Sequence, residues 1–135
     1  TKPITDEFNE WVQINYSRWV GREWYWSVSP KLWSTAGEQP KKAIKPEVVG
    51  KYAETGKGQL KFVVNGTEES WNEVEEHVAS FRNAGVDWPI WIMGVGGTVE
   101  GLKMTEAMIA DEAIQRGYYY TSRVHAHIYG NAIGK

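Results

Sequence analysis

An α/β fold of about four parallel strands joined by crossover helices is what this sequence predicts, on two patterns. Short runs rich in β-branched and aromatic residues recur at 23–28, 59–64, 89–94 and 118–124. Between them lie segments with helical periodicity, long enough to carry a right-handed crossover back to a parallel neighbour. With 135 residues and no internal repeat, the chain reads as a single domain over 1–135, large enough for a modest core.

The elements follow in order. Residues 3–19 place Phe8, Trp11, Val12, Asn15 and Trp19 on one helical face, with acids in the first turn and Thr5 or Asp6 as the cap. Residues 23–28 alternate with aromatics as a strand that stops at Pro30. Residues 32–45, with their lysines, prolines and glycine, read as a long loop. Pro46 suits the first position of a short helix reaching about residue 54, which Gly56 and Gly58 stop. A strand over 59–64 is closed by the Asn65-Gly66 turn. Thr67 is the expected cap of an amphipathic helix that spaces Trp71, Val74, Val78 and Phe81 along one face and ends at Gly85. Residues 89–94 are nearly all apolar, as a buried parallel strand should be. A glycine-rich loop leads to a helix over about 100–116, with Leu102, Ile109 and Ala113 inward, and Gly117 precedes the last strand over 118–124. Four such strands cannot close a barrel, but they are about what half of an open one supplies.

Composition narrows the function classes. Hydrophobic residues at 41% and charged residues at 24% are globular values and exclude a disordered tail. A net charge of -2 gives no general attraction to phosphate backbones, so no nucleic-acid partner is expected. No apolar run approaches the roughly 20 residues of a membrane span. The lack of cysteine excludes disulfides, and no signal peptide is visible, which together lead to the expectation of a cytoplasmic protein. Asn65-Gly66-Thr67 is then a turn rather than a glycan acceptor. Eight tryptophans are many for this length, and core and interface packing accounts for them better than a stacking platform does.

In parallel sheets ligands collect beyond the carboxyl ends of the strands, so the residues there carry the functional reading. Ser29, Pro30 and Lys31 follow the first strand. Lys61 lies inside the second, where a lysine needs either an acidic partner or a wet surface. Met93-Gly94-Val95-Gly96-Gly97-Thr98 follows the third, and its glycines permit close backbone approach to a ligand. It is neither a Walker A loop nor a dinucleotide fingerprint, since no Gly-Lys-Ser/Thr follows and the glycine spacing fails. His125 and His127 share one face of an extended chain, but no third ligand presents itself, so no metal is expected there. Asp111, Glu112 and Glu106 read as a solvated helical face.

Trp26-Ser27-Val28-Ser29-Pro30-Lys31-Leu32, Gln59-Leu60-Lys61-Phe62-Val63-Val64, Gly96-Gly97-Thr98-Val99-Glu100-Gly101 and Arg123-Val124-His125-Ala126-His127-Ile128-Tyr129-Gly130-Asn131 occur in that order. Together they resemble the C-terminal half of the radical S-adenosylmethionine (SAM) 7-carboxy-7-deazaguanine synthases, of the organic radical activating enzyme group. The resemblance covers nearly the whole chain, with Thr1 standing where the family's Glu-Thr-Asn-Gly-Thr motif ends. It implies a half-barrel of the radical SAM type, with Ser29, Pro30, Lys31, Lys61, Met93 and Gly94 in a partial SAM pocket. It also implies a substrate pocket holding a pterin-type ring through His125, Asn131 and Lys135. Where the family usually has proline, this chain has Gly94.

The family's intact enzyme is a lyase that uses SAM, a 4Fe–4S cluster and magnesium to make a precursor of queuosine-type bases. The cluster needs thiolates, and this chain has none. The expectation is therefore a C-terminal segment, inactive alone and completed by a missing N-terminal half. The alternative is a free-standing, oligomer-forming α/β binding module that has lost the radical chemistry. Under either reading, half a barrel leaves a sheet face uncovered, so self-association is expected, with Trp24, Trp26 or Trp91 between subunits.

Overall fold

The computed structural model describes residues 2–16, 24–96, 99–124 and 128, the side chains of 9, 12, 13, 15, 16 and 99–104 excepted. Its elements are α1 (Asp6–Tyr16), β1 (Tyr25–Val28), α2 (Trp33–Ala36), α3 (Pro40–Ala43), α4 (Pro46–Thr55), β2 (Lys57–Val64), α5 (Glu68–Asn83), β3 (Ile90–Gly94), α6 (Val99–Gln115) and β4 (Tyr119–Tyr120). The four strands form one sheet in the order β1-β2-β3-β4, and every pairing is parallel. This is the α/β architecture predicted.

Local chemistry accounts for the boundaries. The Thr5 hydroxyl accepts from the Phe8 amide at 3.2 Å and caps α1. Pro46 opens α4, where its missing N–H leaves nothing unsatisfied. After β2 the Asn65 side chain accepts from the Thr67 amide at 3.0 Å, and Thr67 in turn caps α5 through the Ser70 amide at 3.3 Å. Gly85 and Gly117 end α5 and α6 in the left-handed region, at φ 82 and 77. In both cases the following amide reaches back to the last turn, Val86 to Phe81 at 3.0 Å and Tyr118 to Ala113 at 2.8 Å. Arg82 then pins the link into β3 by donating to the Val86 and Trp88 carbonyls at 2.7 and 2.9 Å.

Alternation along the strands divides the sheet into two unlike faces. Leu60, Phe62, Val64, Ile90 and Ile92 are buried on one of them. They form one core with Val49 and Tyr52 of α4, Trp71, Val74 and Phe81 of α5, and Ile109 and Ala113 of α6. Burial of this face holds the sheet and its helices together. The other face carries Tyr25, Ser27, Gln59, Lys61, Val63, Trp91, Met93 and Tyr119, all exposed or half-buried. Among the described residues no helix covers it.

Three expectations are corrected. The segment over 32–45 is not a plain loop, because it holds α2 and α3 and buries Leu32 and Ala43. The last strand is only two residues long. Glu106 and Glu112 are not simply solvated, since Glu106 accepts from the Tyr120 hydroxyl at 2.8 Å and Glu112 from Arg116 at 2.6 Å. Burial, then the bond to Glu106, raises the Tyr120 hydroxyl above its ordinary value. Trp26 stacks on Tyr52 within the chain, with ring centroids 4.3 Å apart. Val12, Asn15, Trp19 and Leu102 lie outside the described side chains.

Glu73 of α5 explains why α2 forms at all in so short a stretch. Its carboxylate accepts from the Trp33 amide at 2.6 Å, the Ser34 amide at 3.1 Å and the Ser34 hydroxyl at 2.7 Å. Burial opposes ionisation of Glu73, but these bonds outweigh it and hold the carboxyl below its ordinary 4.5. Its contribution to stability is therefore full above 4.5 and is lost as pH falls through its own lower value. Glu73→Gln should lower the urea midpoint at neutral pH and flatten its dependence on pH below 4.5. Parallel pH profiles for the two proteins would overturn this assignment.

Candidate functional site

Because all four strands run the same way, their carboxyl ends lie along one edge, the usual place for a ligand in such sheets. The pairing register fixes which residues sit side by side there. Lys61 faces Trp91, and Trp91 faces Tyr119. One step further along, Val63 faces Met93. The Thr121 amide donates to the Ile92 carbonyl at 2.9 Å, carrying the ladder past β4 and setting Thr121 next to Met93. Gln59, Lys61, Trp91, Met93 and Thr121 together line a cavity of about 270 Å³ on the open face.

The polar groups around this cavity differ in how they are engaged. Gln59 is held flat against β1, donating to the Ser27 hydroxyl at 3.0 Å and accepting from Tyr25 at 3.4 Å. The Trp91 ring stacks on Tyr119, with centroids 5.0 Å apart and planes 23° from parallel. Its indole Nε1 is buried without a hydrogen-bond partner. Arg123, just past β4, has a buried Nε in the same condition. No carboxylate lines the cavity.

Of the residues singled out from the sequence, the structure brings Lys61 and Met93 together in this cavity. Ser29 is half-buried just after β1, where the register continued one residue beyond Val28–Leu60 sets it level with Lys61. Pro30 is buried, and Lys31 is exposed. Gly94 has the opposite parity and meets α6 instead. A Cβ there would lie 3.3 Å from the Ile109 Cδ1 and 4.0 Å from the Tyr120 hydroxyl, so this glycine lets strand and helix close up. His125, Asn131, Lys135, Gly97 and Thr98 lie outside the described residues.

Gln59, Trp91 and Thr121 were not among the residues the sequence assigned to a ligand site. The signal that finds the first two is alternation, since each stands two residues before Lys61 or Met93 on the same strand. Thr121 carries no such signal, because β4 is too short to show a pattern.

Two larger cavities lie on the helix side. One, of about 860 Å³, runs beside α2 and α5, where Glu73 is already committed to the α2 amides. The other, of about 310 Å³, opens between α5 and α6, where Arg116 stacks over Trp71 at 5.1 Å and pairs with Glu75 and Glu112. In these cavities Glu73 ties α5 to α2, and Arg116 ties the end of α6 to α5. Among the described residues no group of three or more His, Cys, Asp or Glu could hold a metal ion, and no helix is long and apolar enough to cross a membrane. Comparison with known proteins found no matching family model, curated protein or solved structure.

Proposed function

We propose that this chain supplies the C-terminal share of a radical SAM 7-carboxy-7-deazaguanine synthase-type site, with the open sheet face turned toward SAM and a pterin-type substrate. One observation carries the reading. Lys61 and Met93, which the resemblance assigns to the SAM pocket, line one cavity on the bare face of a parallel sheet. Sequential strand order with helices on a single face is also how a segment of a half-barrel is wound.

The donors present fit part of such a ligand. Lys61 can hold a carboxylate, and the Trp91–Tyr119 stack offers a flat aromatic surface to a heterocycle. The cluster does not fit this chain, which has no cysteine to bind it. When bound to a cluster, SAM supplies an adenosyl radical. This chain's own residues would position and desolvate the ligand, and a second polypeptide segment carrying thiolates would have to complete the site.

The test is reconstitution. The chain should neither cleave SAM alone nor bind it tightly by calorimetry, because each missing charge-assisted contact costs roughly 1.5–3 kcal/mol. Mixed with a separately expressed N-terminal half of a 7-carboxy-7-deazaguanine synthase, loaded with its cluster, it should restore formation of 5′-deoxyadenosine. Tight SAM binding or SAM turnover by the chain alone, or a mixture that stays inactive, would overturn the proposal.

A further inference from the structure

The turn that joins β2 to α5 holds a reactive pair. Asn65 is the only one of six asparagines that precedes a glycine; the others precede Glu, Tyr or Ala, whose side chains shield the next amide nitrogen. Gly66 is exposed and takes φ 83, in the left-handed region that a residue with a side chain rarely adopts. Among the described residues its N–H donates to no backbone carbonyl. An amide nitrogen that is exposed, unshielded and free of the backbone ladder is open to reaction.

The Asn65 side chain folds back over that nitrogen. Its Oδ1 accepts from the Thr67 amide at 3.0 Å and from the Thr67 hydroxyl at 2.7 Å. The first bond closes a ring that runs through Asn65 Cγ, Cβ, Cα and carbonyl carbon and Gly66 N, which are the atoms of a cyclic imide. Both donors draw charge from Oδ1, so Cγ is electrophilic and an oxyanion forming there meets donors already in place. Thr67 Oγ1 in turn accepts from the Ser70 amide at 3.3 Å, which couples this polarisation to the positive start of α5.

We infer that Asn65 is a self-modifying site, which the folded chain converts to aspartate and isoaspartate without an enzyme. Gly66 N loses its proton to hydroxide and attacks Asn65 Cγ, forming the N–Cγ bond. The oxyanion at Oδ1 collapses, the Cγ–Nδ2 bond breaks, and the nitrogen leaves as ammonia with a proton from water. Water then adds to the imide. Opening at Cγ gives aspartate, which keeps an acceptor for Thr67. Opening at the backbone carbonyl gives isoaspartate, which lengthens the main chain by one methylene and pulls Thr67 away from the Ser70 amide that it caps. The inference does not rest on the radical SAM reading.

The test compares the folded protein with a peptide of residues 60–71 in the same mildly alkaline buffer. Peptide mass spectrometry reads conversion at position 65, and isoaspartate methyltransferase labelling identifies the isoaspartate. The folded chain should react at least as fast as the peptide. Thr67→Val should slow it about two- to tenfold, the worth of one neutral hydrogen bond, and Thr67→Ser should keep the original rate. If Thr67→Val fails to fold, the comparison of folded chain with peptide decides alone. Separated by ion exchange, the isoaspartate form should have a lower urea midpoint than the aspartate form. A folded chain several-fold slower than the peptide, an unchanged rate in a folded Thr67→Val, another asparagine reacting first, or equal midpoints for the two products would overturn the inference.

Discussion

Phe62→Ala should be the most damaging single substitution in the core, costing about 3–5 kcal/mol of folding stability. Phe62 has no exposed surface. It lies on β2, a strand paired on both sides, and packs against Phe81 of α5 with ring centroids 6.4 Å apart. Removing the ring therefore empties space between sheet and helix that neither neighbouring strand can move to fill. Against the total of about 5–15 kcal/mol typical of single domains, the loss brings the protein near unfolding at room temperature. Urea denaturation should show a much lower midpoint with the same slope. Val63→Ala on the same strand is the control. Its side chain faces the open side, so it should cost about 1 kcal/mol or less. A Val63 variant as damaging as the Phe62 variant would show that the two faces have been assigned the wrong way round.

Gly58→Ala should also destabilise, against the usual direction for such a change. Alanine normally helps in a strand, because glycine leaves the unfolded chain more freedom to lose. At this position, however, a Cβ would lie 2.8 Å from the Trp26 carbonyl oxygen and 2.8 Å from two ring carbons of Trp88. Neither neighbour is free to yield. Trp88 is buried, and Trp26 is held by its stack on Tyr52 and by donating from its Nε1 to the Thr55 hydroxyl at 3.0 Å. Overpacking of this kind costs about 1–3 kcal/mol, enough to reverse the sign. In a Trp88→Leu background the penalty should shrink, because the ring atoms that clash are gone. A double-mutant cycle of urea midpoints measures that coupling, and independent, additive effects would refute the steric account.

Both predictions depend on which side of a strand a residue occupies, and this is where sequence and structure contribute differently. The positions of β2, β3, α4, α5 and α6 were legible within about two residues. Each is set by its own neighbours: Pro46 at a helix start, the Thr67 cap, Gly85 and Gly117 as stops, and the unbroken apolar run at 90–94. The segment 32–45 was misread for the opposite reason. Nothing local caps the start of α2; the carboxylate that does so comes from Glu73, 40 residues away in sequence from Trp33. The final strand was overextended because no glycine or proline follows Tyr120 to stop it before Gly130.

The candidate site divides in the same way. Lys61 and Met93 stood out by type and position, since a lysine in an apolar strand and a residue at a strand's end are visible without a structure. That they share one cavity was not visible. Strands β2 and β3 are separated by a whole helix, and only the register that pairs Lys61 with Trp91 makes the two residues neighbours. Gly94 looked like part of a ligand loop, and parity alone turned it toward Ile109.

The sequence by itself therefore determined the element types outside 32–45 and the parallel α/β class, because these follow from periodicity and capping along the chain. Only the tertiary structure decided which strand face was buried under α4, α5 and α6 and which stayed open, and left the Trp91 indole without a partner. Those outcomes depend on the pairing of segments far apart in the chain, where a shift of one residue exchanges the two faces.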